Sequence, residues 1–208
     1  MLTALDLIGV FVFALSGGVL AVEKRFDPFG VVFLAFVSAT SGGIVRDLLI
    51  GATPPAALQT WHYVAVAAIA GGMCYFGYDW IMRLSAPVTF FDSIGLGLFA
   101  VVGARKALDA GLSPLFASLL GMVTAVGGGM ARDILTAQAP MVLHREIYAL
   151  AALGGAALLA YGDGVGLPDG FIAVFAALFT IVVRLTAVAY GWSLPAASVK
   201  AGHPPTNA

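Results

Sequence analysis

Long runs of apolar residues, separated by short polar breaks, make up almost all of the chain. Crossing about 30 Å of hydrocarbon takes roughly 20 helical residues, and each run has close to that length. The breaks carry charges or turn formers, as in EKRFDP, GATPPAALQ and YGDGVGLPDG. The pattern predicts an all-α membrane protein with seven transmembrane helices in one transmembrane domain, residues 1–190, before a flexible tail, residues 191–208. The predicted spans are 4–22, 29–50, 60–82, 88–106, 113–136, 145–161 and 169–190.

An internal repeat links the two halves of the chain at a distance of 86 residues. Residues 6–54 align without a gap on residues 92–140, and close to a third of the aligned positions are identical. Each unit holds three predicted spans, an odd number, so the second unit must enter the membrane upside down. Inverted repeats are a recurring architecture of transport proteins, with function near the midplane at the repeat interface. We therefore expect two inverted three-helix repeats, about 4–82 and 88–161, and a seventh helix, about 169–190, outside them.

Adjacent small residues interrupt predicted spans two and five at equivalent places, in SGGIVRD and GGGMARD. A packing face uses small residues four apart, whereas adjacent glycines weaken a helix by about 1 kcal/mol each relative to alanine and favour sharp bends. We therefore predict kinks that expose carbonyl oxygens, which suit alkali cations, to a water-filled cavity. The predicted kink and pore residues are Ser41, Gly42, Gly43, Gly127, Gly128 and Gly129.

An arginine and an aspartate follow each glycine motif, as Arg46-Asp47 and Arg132-Asp133. The arginines either snorkel to the membrane interface or line a pathway inside the bundle. Neighbours on a helix point about 100° apart, so we expect neither arginine to pair with the adjacent aspartate and each to need a partner from another span. In the pathway interpretation, these charges would hold a pore shut or tune its conductance.

Other charged residues lie near the ends of the predicted spans. The carboxylates of Asp6 and Asp92 open spans one and four, where the helix macrodipole stabilises them; the alternative is an acidic vestibule that concentrates cations. A further set fits interface anchoring or binding of lipid headgroups. Its members are Lys24, Arg25, Arg105 and Lys106.

Composition and charge exclude several classes of protein. Only 10% of the residues are charged, against about a quarter in soluble domains. The net charge of -1 does not indicate the basic surface that nucleic-acid binding requires. Neither a Gly-x-Ser-x-Gly elbow nor a His-Glu-x-x-His pair occurs in the sequence, and each is a mark of catalysis. We therefore expect no enzyme, no tightly bound metal and no cofactor.

Orientation follows from the lysines and arginines of the short loops. One side of the membrane collects positions 24, 25, 83, 145 and 200, and the other has only 105 and 106. This predicts an outside N-terminus and a cytoplasmic C-terminus.

The chain resembles the prokaryotic TRIC family of trimeric intracellular cation channels. The resemblance rests on the seven predicted spans, the inverted three-span repeats and the paired Gly-Gly-x-x-Arg-Asp motifs. The same bacterial group is also described as glycine-transporter-like. The resemblance covers roughly residues 4–190, with Ser41 where a full glycine triplet would have glycine. It implies a homotrimer in the lipid bilayer of the inner (plasma) membrane of a prokaryote. Each protomer would have a hydrophilic pore, framed by kinked spans two and five, that passes K⁺ and Na⁺.

Two functions stay open at this point. The first is a monovalent cation channel, in which ions pass carbonyls freed at the kinks and the arginines limit flow. The second is a carrier for glycine or another small amino acid, since ends of broken helices hold carboxylate and ammonium groups in transporters. A membrane scaffold without transport would not need mirror-related helix breaks.

Overall fold

A computed structural model describes residues 2–83, 86–144, 147–162 and 168–192. The predicted tail from residue 193 onward lies outside these residues, as do Arg145 and Lys200 of the orientation count. Every regular element in the described part is a helix. In chain order the helices are α1 (Leu2–Glu23), α2 (Pro28–Leu49), α3 (Ala56–Gln59), α4 (Trp61–Ile81), α5 (Pro87–Asp109), α6 (Pro114–Leu135), α7 (Met141–His144), α8 (Ile147–Gly162) and α9 (Asp169–Ala189).

Six of these helices are long and apolar enough to cross a membrane, namely α1, α2, α4, α5, α6 and α9. The sixth predicted span corresponds to α8, which is apolar but has only 16 residues, roughly 24 Å at 1.5 Å per residue. The short helices α3 and α7 were not predicted. They lie in the breaks after α2 and α6, at similar places in the two repeats.

Proline sets the start of three long helices. Pro28, Pro87 and Pro114 occupy the first positions of α2, α5 and α6, where a missing N–H costs nothing and the fixed φ suits the helix. The carboxylate of Asp27 also caps α2, because its Oδ1 accepts a hydrogen bond of 2.7 Å from the backbone N–H of Gly30. These local signals explain why the observed starts lie within one residue of those predicted.

The centre of the bundle is formed by α1 and α5, which pack against each other, while α2 packs against α6. The rings of Phe13 and Phe99, 86 residues apart, lie 5.1 Å apart between centroids. A Cβ at Gly9 would lie 2.5 Å from Phe99, and a Cβ at Gly95 would lie 2.6 Å from Phe13. Each repeat therefore provides a ring and a glycine that receives the ring of the other repeat.

Candidate functional site

The backbones of α2 and α6 come close together at Gly42, Gly127 and Gly128; a Cβ at Gly127 would lie 2.8 Å from Gly42 Cα. A Cβ at Gly42 would lie 2.0 Å from the carbonyl oxygen of Thr124, and a Cβ at Gly128 would lie 2.2 Å from that of Ser38. The contact on α6 moves from 128 to 124 as α2 advances from 38 to 42, so the two helices run antiparallel here. Only glycine fits at these two positions without moving a backbone.

The structure corrects the expected role of the glycines. Both helices run as continuous α-helix through the two motifs, so neither helix is broken there, and the freed carbonyls stay a prediction. Packing accounts for the glycines instead, because Ser38 with Gly42, and Thr124 with Gly128, form two pairs of small residues four apart. Such pairs allow close crossing. The prediction considered only the adjacent glycines and overlooked the serine and threonine; a bend within a continuous helix stays a prediction.

A fully buried arginine lies on one side of the crossing. The Nη1 of Arg132 donates hydrogen bonds of 2.6 Å to Asp92 Oδ1 on α5 and of 2.6 Å to Ser16 Oγ on α1. Its Nε donates to Asp133 Oδ1 at 2.9 Å. This Arg132 cluster, which we define as Ser16, Asp92, Arg132 and Asp133, therefore ties three helices together through one guanidinium.

The other side of the crossing holds an equivalent arginine with different partners. The Nε of Arg46 donates to Asp47 Oδ1 at 2.9 Å, and the hydroxyl of Tyr63 on α4 donates to the carboxylate of Asp6 on α1. We call Asp6, Arg46, Asp47 and Tyr63 the Arg46 cluster. Each arginine follows its crossing glycine by four residues, roughly 6 Å along the helix.

Both arginines pair with the adjacent aspartate, contrary to the expectation from the angle between neighbouring side chains on a helix. The Nη2 atoms of Arg46 and Arg132 lie 2.8 Å from the neighbouring carboxylates. The side chains do leave the helix in different directions, but the arginine stem is long enough to fold back, and the adjacent cation offsets the cost of burying the carboxylate. Snorkelling is also wrong, because the exposed fractions of the two arginines are 2% and 0%.

The second oxygen of each aspartate holds the chain where it continues after the helix. Asp47 Oδ2 accepts a hydrogen bond of 2.9 Å from the backbone N–H of Ala56. Asp133 Oδ2 accepts one of 2.9 Å from the backbone N–H of Met141. Each Arg-Asp pair therefore joins the interior of the bundle to the short helix that follows, α3 or α7.

Asp133→Asn is expected to lower the free energy of unfolding by about 1.5–3 kcal/mol, the range for hydrogen bonds to charged groups, because it weakens contacts to both Arg132 and Met141. Asp109→Asn is the matched control, since Asp109 is half exposed in its pair with Arg105, and a pair of that kind contributes about 1 kcal/mol or less. Melting both variants in one detergent checks this. Equal losses would contradict a structural role for the Asp133 carboxylate.

Comparison with solved structures places the fold among known channels. The chain matches a structure described as showing conductance through TRIC cation channels, with a TM-score of 0.86 and 34% identity over 96% of this chain and 98% of that one. A trimeric intracellular cation channel orthologue from Rhodobacter sphaeroides matches with a TM-score of 0.86 and 32% identity over 92% and 98%. The protein is a member of the prokaryotic TRIC family.

The TRIC-family chain also matches relatives known by other names. A family model described as "Glycine transporter" covers residues 3–79 and 89–163. The UPF0126 inner membrane protein YadS of Escherichia coli (strain K12) is 34% identical over 193 residues, 92% of this chain and 93% of the relative. The resemblance inferred from the glycine motifs is thereby confirmed, with both of its descriptions.

Asp6 and Asp92 take different positions in this TRIC-family chain from those expected. They are the fifth residue of α1 and the sixth of α5, beyond the first turn, where the macrodipole acts most strongly. Their exposed fractions are 5% and 0%, so neither lines a solvent-filled vestibule. Each carboxylate instead contacts a polar side chain of another helix.

Of the expected interface residues, Arg105 and Lys106 contact carboxylates. Arg105 lies 3.0 Å from Asp109 in its own helix and 3.3 Å from Asp169 at the start of α9. The Nζ of Lys106 lies 3.9 Å from Asp47 Oδ1. These contacts join α5 to α9 and bring a second cation to the Arg46 cluster.

Lys24 and Arg25 lie in the turn between α1 and α2, and both are exposed. Arg25 has a φ of 60°, in the left-handed region that non-glycine residues adopt in tight turns. Binding of lipid headgroups by these two residues stays a prediction.

The sequence-based predictions missed Ser16, Tyr63 and Arg184. Arg184 on α9 is buried, and its guanidinium carbon lies 4.8 Å from the ring centroid of Tyr148 on α8. It is the one ionisable residue between Phe171 and Ala189, and a lone charge inside a membrane span is a signal that we overlooked. Ser16 and Tyr63 carried no comparable signal.

No group of three or more His, Cys, Asp or Glu side chains in the described ranges could hold a metal ion. The two clusters instead combine arginine donors with aspartate acceptors. Such buried charges are typical of ion and substrate pathways in membrane proteins.

Proposed function

We propose that this protein conducts the monovalent cations K⁺ and Na⁺ passively across the bacterial inner membrane. The observation that carries the proposal is the match to a TRIC cation channel at 34% identity over 96% of the chain, because it covers the whole bundle and both glycine motifs. The Escherichia coli relative named as an inner membrane protein supports the location. No catalytic role is proposed for any residue.

The proposed pathway follows the interface of α2 and α6 within each protomer. The Arg46 and Arg132 clusters flank the crossing, and the helix backbones touch between them. Ions would pass after the two helices separate or bend, and the adjacent glycines are the weakest helical positions for such a bend. In this mechanism Ser41, Gly43 and Gly129 give flexibility beside the contact glycines, and the two arginines limit flow through the ion pairs that they form with aspartates.

We extend the proposal to the architecture. Seven spans, with α8 as the sixth, and two inverted repeats are supported by contacts that recur at a spacing of 86 residues, such as Gly42 with Thr124 and Gly128 with Ser38. Assembly as a homotrimer is supported by the Rhodobacter sphaeroides orthologue, which is described as trimeric. An outside N-terminus rests on the charge of the loops, and lipid headgroups would meet the exposed Lys24 and Arg25.

A carrier for glycine is the second candidate, because the matching family model is described as "Glycine transporter". The buried arginines would then bind a carboxylate and the aspartates an ammonium group. A carrier saturates at modest substrate concentration and turns over slowly, whereas a channel passes ions at rates that no alternating carrier reaches.

Purified protein in liposomes is expected to carry K⁺ down a gradient at channel rates without taking up labelled glycine. Flux of K⁺ and uptake of glycine, measured in the same preparation against protein-free liposomes, check this. Saturable glycine uptake with little ion leak would contradict the channel and favour the carrier.

A further inference from the structure

The two arginine clusters are built from equivalent residues but have different contacts. Asp6 corresponds to Asp92, and Arg46 to Arg132, at the spacing of 86 residues. Arg132 Nη1 lies 2.6 Å from Asp92 Oδ1. The equivalent atom, Arg46 Nη1, is buried and has no hydrogen-bond partner in the part of the chain that the structure describes, and Arg132 Nη2 is likewise without one. The two clusters therefore differ in the group that the carboxylates of Asp6 and Asp92 contact.

A tyrosine accounts for the difference. Asp6, the expected acceptor for Arg46, instead accepts the hydroxyl of Tyr63 from α4. In the other repeat, Tyr148 on α8 lies one residue before the position that corresponds to Tyr63 at this spacing and is buried near Asp92. Its hydroxyl makes no hydrogen bond of good geometry to a described residue. One aspartate is held by tyrosine and the other by arginine.

The groups of the Arg46 cluster meet in a small cavity. Its volume is about 10 Å³, and Asp6, Arg46, Asp47 and Tyr63 all line it. That is close to the space of a single water molecule. A buried donor without an acceptor is costly, so the unpartnered Arg46 Nη1 favours movement of the Asp6 carboxylate across this cavity.

We propose that Tyr63 is a positioning residue that holds Asp6 away from Arg46, and that Asp6 is the moving part of a two-position switch. In the second position Asp6 accepts from Arg46 Nη1, as Asp92 accepts from Arg132. In the structure, an ion pair between Arg132 and Asp92 closes one end of the proposed pathway. At the other end, Tyr63 holds Asp6 away from Arg46. This inference rests on the proposed cation pathway and makes Tyr63 a determinant of how often its Arg46 end is open.

Potassium flux tests the switch. Tyr63→Phe is expected to lower flux at least threefold, because Asp6 is released to pair with Arg46. Adding Asp6→Asn to Tyr63→Phe is expected to raise flux again, since the neutral amide no longer makes the ion pair. Tyr75→Phe is the matched control, because it removes a hydroxyl from an exposed tyrosine of the same helix and should leave flux unchanged. Failure of Asp6→Asn to reverse the loss would overturn the proposal.

A second measurement does not depend on transport. The coupling between Asp6→Asn and Arg46→Lys in melting temperature is expected to be small with Tyr63 present and clearly larger with Tyr63→Phe. If Arg46→Lys does not fold, Arg46→Gln completes the cycle. Equal coupling in both backgrounds would overturn the proposed switch. Absence of K⁺ flux in the unmutated protein would instead contradict the proposed channel function, and the coupling measurement would still test the switch.

Discussion

Alanine at Gly42 or Gly128 is expected to lower the free energy of unfolding by about 3 kcal/mol, the upper end of the usual cost of overpacking. The added methyl group would lie 2.0 Å or 2.2 Å from a backbone carbonyl oxygen of the facing helix. No side-chain rotation relieves such a contact, so α2 and α6 must move apart. Thermal melting of the purified variants in one detergent measures the loss.

Gly43→Ala separates packing from flexibility. A Cβ at Gly43 would meet Arg46 Nη2 at 3.5 Å as its nearest neighbour, an ordinary contact, and alanine strengthens a helix by about 1 kcal/mol relative to glycine. We expect this variant to melt no lower than the unmutated protein. A loss as large as that of Gly42→Ala would contradict the packing explanation, and reduced K⁺ flux without loss of stability would support the proposed bend.

Arg132→Ala is expected to cost about 3–5 kcal/mol, the range for breaking a buried ion pair by removing one partner. Asp92 and Asp133 would be left without their shared cation in a site where Arg132 has an exposed fraction of 0%. Chemical or thermal unfolding of the purified variant measures this. We also expect altered conductance, because a positive charge would leave one end of the proposed pathway.

Neutralising Asp92, which Arg132→Ala leaves without its cation, should recover part of the lost free energy of unfolding. Combining Arg132→Ala with Asp92→Asn is expected to melt above Arg132→Ala alone, because one buried charge without a partner disappears. Arg105→Ala is the control: its pairs with Asp109 and Asp169 are partly exposed and contribute about 1 kcal/mol or less. Similar losses for the two arginines would show that burial does not decide their contributions.

The helices were predictable because local chemistry fixes them. Length and hydropathy predicted the long helices. The predicted starts of α2, α5 and α6 lie within one residue of the observed ones, where proline occupies the first helical position. The repeat was visible because glycines, charges and prolines recur at one spacing. The short helices α3 and α7 have four residues each, too few for a periodic pattern.

The contacts of the buried charges were not predictable. Ser16 and Arg132 are 116 residues apart, and Tyr63 and Asp6 are 57 apart, so each pairing depends on how the helices are aligned. The expectation that Arg46 would not pair with Asp47 considered only the direction in which each side chain leaves the helix. It failed because the guanidinium lies at the end of a long flexible stem and needs an anion when buried.

The exchange of rings between Phe13 and Phe99 has a consequence for how such a chain arises. Each half fills the hollow at a glycine of the other, so a single three-helix unit would leave both its ring and its hollow unmatched. A second unit, inserted with opposite orientation as we propose, supplies both at once. Under the inverted arrangement that we propose, an ancestor encoded at half this length would have required dual topology in the membrane, and gene duplication with fusion would have fixed the two orientations in one polypeptide.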